Sequence, residues 1–227
     1  MTAFSVTVDG VLDSYSTLRD AITAETDGRA NTASLDRFIK QAEDDIRLFL
    51  KKYPLRPMRA RTSLTFSSEY TAAPTNMVLP ISIEATDPTG FIYRLPYIAP
   101  ENISAMQGKY LFDNRPFAFT REGDELRIYP VPTTTYAAKL FYYEDLTGIS
   151  AANSSNWLLA DHPTTYFTGA LYYAYRDMPD IQKATLMKEL FEESLGKLRD
   201  AYPEPSNQVT LSVDPSMLQR RWLWQIV

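Results

Sequence analysis

The sequence predicts an α+β protein: a helix pair at each end of the folded part closes into a four-helix bundle, with a β-rich region inserted between the pairs and an extended C-terminal arm. Three observations carry this. Apolar residues recur at helical spacing from Ser14 to Tyr53 and again from Pro163 to Tyr202. Between about Thr62 and Tyr143 the pattern changes to short runs of β-branched and aromatic residues separated by turn residues. Beyond Pro203 no helical stripe continues. Neither helix pair has enough partners to cover its stripe alone, so the pairs are expected to share one core. The segments are therefore 1–61 for the N-terminal helices, 62–150 for the inserted β-rich region, 151–202 for the C-terminal helices and 203–227 for the arm.

In the first helix, within "SYSTLRDAITAE", Tyr15, Leu18 and Ile22 share a face and Gly28 follows as a stop. The second, "SLDRFIKQAEDDIRLFLKKY", keeps the helical period from Leu35 to Tyr53. Ser34 suits its cap, Asp36 its first turn, Lys51 and Lys52 its last, and Pro54 ends it. In the middle region, "NMVLPISIEA", "FIYRLPYI", "PFAFTRE", "DELRIYP" and "YAAKLFYYE" read as strands, with a hairpin turn at Gly123 and Asp124. "APENISAMQ" reads as a short helix among them. Prolines 80, 96, 100, 116, 130 and 132 point to edge strands and irregular connections rather than one long sheet. Pro163 suits the first turn of a third helix, capped by His162 or Asp161, that buries Tyr166, Phe167, Ala170, Leu171 and Ala174. After "DMPD", Asp180 caps a fourth, which carries Met187, Leu190, Phe191, Leu195 and Leu198. In the arm, "QVTLSV" alternates like a strand.

Composition excludes several classes. Hydrophobic residues at 44% and charged residues at 22% support an ordinary packed core. The absence of cysteine removes disulfides and thiolate chemistry. No apolar run approaches the roughly 18 residues of a spanning helix, and "MTAFSVTVDG" does not read as a secretory signal. A net charge of −5 argues against general nucleic-acid binding. Fifteen tyrosines against eight glycines fit either a tyrosine-rich core or an interface.

No catalytic or cofactor site is expected. His162 is the lone histidine; Asp161 adjoins it, but no G-x-S-x-G elbow exists and its place suits a helix start. One histidine without cysteine leaves no zinc site of the usual kind. The pairs Asp44–Asp45 and Glu192–Glu193 lie on helices and read as solvated faces. Asp87 and Asp124 sit in turns without calcium-loop spacing, and no P-loop or G-x-G-x-x-G occurs. One basic cluster stands out: Lys51, Lys52, Arg56, Arg59 and Arg61, with no acid between them. It reads as a helix end plus solvated linker, or as a contact for phosphates or an acidic partner, and the partner is preferred.

The arm ends in "SMLQRRWLWQIV", where chain ends are ordinarily polar. Burying Trp222 and Trp224 with Met217, Leu218, Leu223, Ile226 and Val227 gains about 20 kcal/mol at roughly 25 cal/mol per Å². Ordering those twelve residues costs about 1.5 kcal/mol each, a similar sum. A single arm thus gains little by docking unless it adds backbone hydrogen bonds or is held in many copies. Left exposed, the tryptophans invite aggregation. A docking arm, with Arg220 and Arg221 beside its anchors, is favoured over a self-packed tail.

"NWLLADHPTTYFTGALYYAYRD" followed by "KELFEESLGKLRDAY" resembles the C-terminal helix pair of tailed-bacteriophage head–tail adaptor proteins. "YSTLRDAI…LDRFIKQAEDDIRLFL" is similar to the same family's opening helices, and "GDELRIYPVPTTTYAAKLFYYEDLTGIS" to its β segment. The most specific feature is N-W-L-L-x-x-H-P, Asn156 to Pro163. The resemblance spans most of Ser14 to Tyr202. It implies a non-enzymatic virion connector: a homo-oligomeric ring, usually dodecameric, beneath the portal, assembled in the host cytoplasm. Its C-terminal arms would reach the portal protein, and its opposite face and β region would meet a tail nozzle or fibres. DNA would pass its channel without sequence-specific binding, and Asp44 and Asp45 are candidate channel-facing acids. The competing readings are a tail-completion or gatekeeper subunit that does not touch the portal, a carbohydrate- or receptor-binding module built on the tyrosine-rich β region, and, third, an enzyme.

Overall fold

The computed structural model describes residues 12–102 and 115–203. Four principal helices and seven strands occupy these residues in the predicted order, and the protein is a mixed α/β structure with two antiparallel sheets. Helix α1 (Tyr15–Glu25) starts at a capping box, with Ser14 and Thr17 each bonded to the other's backbone N–H. It ends as predicted before Gly28, which takes φ +69°. Helix α2 (Thr32–Lys52) begins earlier than its apolar stripe: Asn31, not Ser34, is its cap, accepting from the Ala33 N–H at 3.0 Å. Leu35, Phe38, Ile39, Ala42, Ile46 and Leu50 form its buried face.

At the C-terminal end, Asn156 caps a short helix α3 (Trp157–Asp161) that periodicity did not reveal. His162 then occupies the N-cap of α4 (Pro163–Asp177), with Pro163 in the first turn as expected. Its imidazole makes no capping bond. Asp180 caps α5 (Ile181–Ala201) by accepting from the Lys183 N–H at 3.2 Å. Helix α4 is the hub, packing against α1, α2, α3 and α5, and one apolar cluster runs through all of them. The predicted shared core is therefore present. The contacts do not, however, show α2 and α5 closing on one another as a four-helix bundle requires; each packs on α4.

Gly169 of α4 lies at this junction. A Cβ there would lie 2.9 Å from the Phe191 ring of α5 and 3.0 Å from the Ala42 Cβ of α2. Ordinary van der Waals separation is about 3.5–4.0 Å, so the missing side chain sets how closely three helices converge.

The β strands are β1 (Arg59–Phe66), β2 (Tyr70–Ala72), β3 (Met77–Thr86), β4 (Ile92–Pro96), β5 (Ala118–Glu122), β6 (Glu125–Tyr129) and β7 (Tyr136–Glu144). They form a four-stranded sheet in the order β1-β7-β3-β4 and a three-stranded sheet in the order β2-β6-β5. The β5–β6 hairpin turns at Gly123 (φ +63°) and Asp124, as predicted. Of the expected short helix only residues 100–102 are described, and they are helical. Between the sheets lies a second apolar cluster that includes Phe66, Ile83, Leu95, Phe119, Ile128 and Leu140. Pro80 occupies β3, an inner strand, which the proline rule disfavours. The conflict resolves locally: β4 pairs with β3 only from Ser82 onward, and the β3–β7 register shifts between Pro80 and Ser82. Arg121 on β5 donates to the Met77 and Val78 carbonyls at 3.1 and 3.0 Å, joining the second sheet to β3.

The β region is bound back to the helices by the strand that leaves it. After β7, Leu146 and Ile149 enter the helical core. The Ile149 N–H donates to Glu43 Oε2 at 3.0 Å, and Arg47 donates to the Leu146 carbonyl at 2.9 Å. Glu43, 2% exposed, pairs with Arg47 at 2.8 Å. A Cβ on Gly148 would lie 2.7 Å from the Glu43 carboxylate, so the linker is pressed onto this ion pair.

Gly169→Ala is expected to destabilise the protein by about 1–3 kcal/mol through overpacking, although alanine favours a helix by about 1 kcal/mol; a lowered urea midpoint at unchanged slope is the sign. Glu43→Gln keeps the shape but removes the charge that faces Arg47, and a loss of about 1–3 kcal/mol is expected by the same measurement.

Candidate functional site

The N-W-L-L-x-x-H-P segment organises the base from which the arm leaves. Asn156 uses its whole amide. Its Oδ1 accepts from the Leu159 N–H at 2.9 Å, capping α3. Its Nδ2 donates to the Thr147 carbonyl at 2.7 Å and to the Tyr166 hydroxyl at 2.8 Å. Tyr166 is fully buried, and burial pushes its phenol well above the ordinary tyrosine range. Leu158 and Leu159 are buried in the helical core, while Trp157 stays half-exposed.

Trp157 faces Tyr202, the residue after α5, edge-on at 6.1 Å between ring centres. Tyr202 also meets the His162 ring at 5.5 Å, edge-on. Its hydroxyl lies 3.2 Å from His162 Nε2 and donates to Asp161 Oδ2 at 3.3 Å. Burial and the Asp161 carboxylate raise the Tyr202 phenol above its usual value, which keeps it a donor. With the Tyr202 hydroxyl proton directed at Asp161, the Tyr202 oxygen is free to accept from His162 in its Nε2–H tautomer. Asp161 and His162 thus converge on a third residue instead of forming a catalytic relay. Together with Trp157 they hold the end of α5 immediately before Pro203. The predicted arm residues Met217, Leu218, Arg220, Arg221, Trp222, Leu223, Trp224, Ile226 and Val227 lie outside the described residues, as does the strand-like 208–213 stretch.

The basic cluster falls on structure rather than on a solvated linker. Helix α2 ends at Lys52, a 3₁₀ turn spans Arg56–Met58, and β1 begins at Arg59, three residues before the expected start of the β region. Leu55 and Met58 are buried beneath this corner. Lys51 reaches Asp145 at 3.6 Å, and Lys52 lies over the Tyr53 ring at 5.2 Å. Arg59 donates twice to the Tyr143 hydroxyl, both at 3.2 Å. Arg56 and Arg61 are exposed, and Arg59 and Arg61 share one face of β1. Because β1 is an edge strand, these charges also discourage unwanted strand pairing.

The two candidate channel acids part company. Asp44 is exposed and bonded to Lys40 at 2.8 Å. Asp45 accepts from the Tyr173 hydroxyl of α4 at 2.5 Å, and burial, with that bond, raises the Tyr173 phenol. Adjacent positions on a helix point about 100° apart, which is enough to send one to solvent and one to a neighbouring helix. Glu192 and Glu193 pair with Lys188 and Lys197, as solvated helix faces do. Sequence reasoning missed Glu43, which alone among these acids is buried.

The SU10 adaptor protein family matches residues 13–213, and the chain belongs to this family. No curated protein matches the chain. The protein is accordingly a tailed-phage head–tail adaptor, a structural virion component. The match ends before Ser216, so the tryptophan-bearing end of the arm lies past the matched residues. Among the described residues no helix is long and apolar enough to cross a membrane.

Asn156→Ala removes a cap and strands the Thr147 carbonyl and Tyr166 hydroxyl. A loss of about 2–3 kcal/mol is expected, with Tyr202→Phe costing about 1 kcal/mol. Urea unfolding followed by circular dichroism distinguishes the two.

Proposed function

We propose that copies of this chain form a ring, dodecameric on the family resemblance, below the portal at the capsid vertex, and that the arm from Met217 to Val227 docks each copy on the portal protein. The β region and the face away from the portal meet tail components such as a nozzle or fibres. DNA passes through the ring without sequence-specific binding. The proposed segments remain an N-terminal helical part, the β-rich insertion, a C-terminal helical part and the arm. The observation that carries this reading is family membership over residues 13–213.

Two features of the fold support it. The arm's root is an aromatic and hydrogen-bonded junction seated on the helical core, a fixed point from which an arm would reach a partner. Asp44, exposed on α2, remains a candidate for a channel surface, whereas Asp45 is engaged within its own subunit. A channel lined by acids avoids the counterion release that binds DNA to basic surfaces. The corner bearing Arg56, Arg59 and Arg61 suits an acidic patch on a partner.

The test is the mass of portal-containing particles mixed with the full chain, or with a chain ending at Pro215. Many copies of the full chain and none of the shortened one are expected. Trp222→Ala combined with Trp224→Ala should weaken association at least thirtyfold, since buried aromatic anchors carry about 2 kcal/mol or more each. Equal binding of all three forms would refute the docking arm, and no binding by any form would favour a gatekeeper that does not touch the portal.

A further inference from the structure

A groove of about 440 Å³ lies between the start of α4 and the last turns of α5. That is within the range of roughly 300–1,000 Å³ typical of clefts that hold ligands. Pro163, Phe167 and Leu190 supply its apolar surface, and Asp161, Glu193 and Lys197 its charged rim. Asp161 and His162 line this groove and also hold Tyr202, so the arm leaves the fold at the groove's edge.

We propose that, before assembly, this groove holds the Trp222–Leu223–Trp224 segment of its own chain. Three arguments select that occupant. The first is reach. Trp222 lies nineteen positions beyond Pro203. At about 3.3–3.6 Å per residue an extended chain of that length spans some 65 Å, so returning to a groove at its own root is geometrically easy. The second is concentration. A tether of this size holds its end at an effective concentration on the order of 1 mM. Even an intrinsic dissociation constant of about 0.1 mM then gives roughly nine-tenths occupancy. The third is charge. The rim carries Asp161 and Glu193 against Lys197, which already pairs with Glu193 at 2.7 Å. Arg220 and Arg221 directly precede the tryptophans and complement the surplus acid.

This goes beyond the portal reading and does not depend on it, because it concerns the free subunit. It supplies cover for two tryptophans that a monomer would otherwise expose. Release needs only a competing site presented in many copies.

The experiment uses purified full-length protein without portal. Trypsin releases the hexapeptide Trp222–Val227 by cutting after Arg221, and mass spectrometry follows its rate. Thr164→Arg, at an exposed position lining the groove, and Leu190→Lys are expected to accelerate release at least fivefold. Thr185→Arg, exposed on α5 and remote from this groove's lining, is expected to leave the rate unchanged. Circular dichroism establishes that each variant is folded, and Thr164→Arg decides alone if Leu190→Lys is not. Equal release from wild type and Thr164→Arg overturns the proposal. Protection that disappears on dilution overturns it as well, since the occupant would then be the arm of another copy. Portal association plays no part in the readout, so failure here leaves the docking arm standing, and failure of portal docking leaves this groove standing.

Discussion

The convergence of three helices at Gly169 sets the geometry on which the rest depends. Helix α2 precedes the β strands and α4 follows them, so their close approach closes a loop of more than a hundred residues. Loop-closure entropy rises only slowly with length. A long insertion is therefore tolerated provided that the contacts at its base are good. Ala42, Gly169 and Phe191 supply small against absent against large, an interdigitation that leaves little room for sliding.

The insertion is a second packed unit with its own apolar cluster, yet it is not free to swing. The residues after β7 bury Leu146 and Ile149 in the helical core and are held by the Glu43–Arg47 pair. A buried ion pair gains little net energy over an apolar replacement. Its value here is directional: both oxygens of Glu43 are used, one by Arg47 and one by the Ile149 N–H. For a subunit that must transmit position from one partner to another, a fixed angle between helices and sheets matters more than a few kcal/mol.

Much of this was legible in the sequence; what was missed is either too short to show a period or made by contacts from distant sequence. The stripes of α2, α4 and α5 and the Gly123–Asp124 hairpin depend on neighbours within a few positions, so periodicity reveals them. The cap of α2 was misplaced because the stripe begins at Leu35, one turn after the helix does. Helix α3 has five residues, too few for a period to appear. Glu43 and Arg47, four apart on a charged helix, carry no local signal of burial; only the arrival of residues 146–149 from distant sequence buries the acid. The strand that carries Arg59 and Arg61 was not expected, because Pro54, Pro57 and a run of basic residues precede it and its pairing is with distant β7. Asp161 and His162, adjacent and polar, suggested catalysis only as a remote option, and Tyr202, forty residues away, gives their real role.

Tyr202 also explains why the arm's root and its tip have opposite characters. The root is fixed by Trp157, His162 and Asp161 through two ring contacts and two hydrogen bonds. The tip concentrates large apolar residues that gain about as much from burial as ordering them costs. In the proposed docking arm, an anchored root would narrow the directions in which the tip searches and so lower the entropy lost on docking. Binding of this type is weak for one arm and strong for a ring of them, because each docked copy holds its neighbours' tips near their own sites. A near-balanced tip on an anchored root fits the proposed arm, which would commit only when many sites are offered at once.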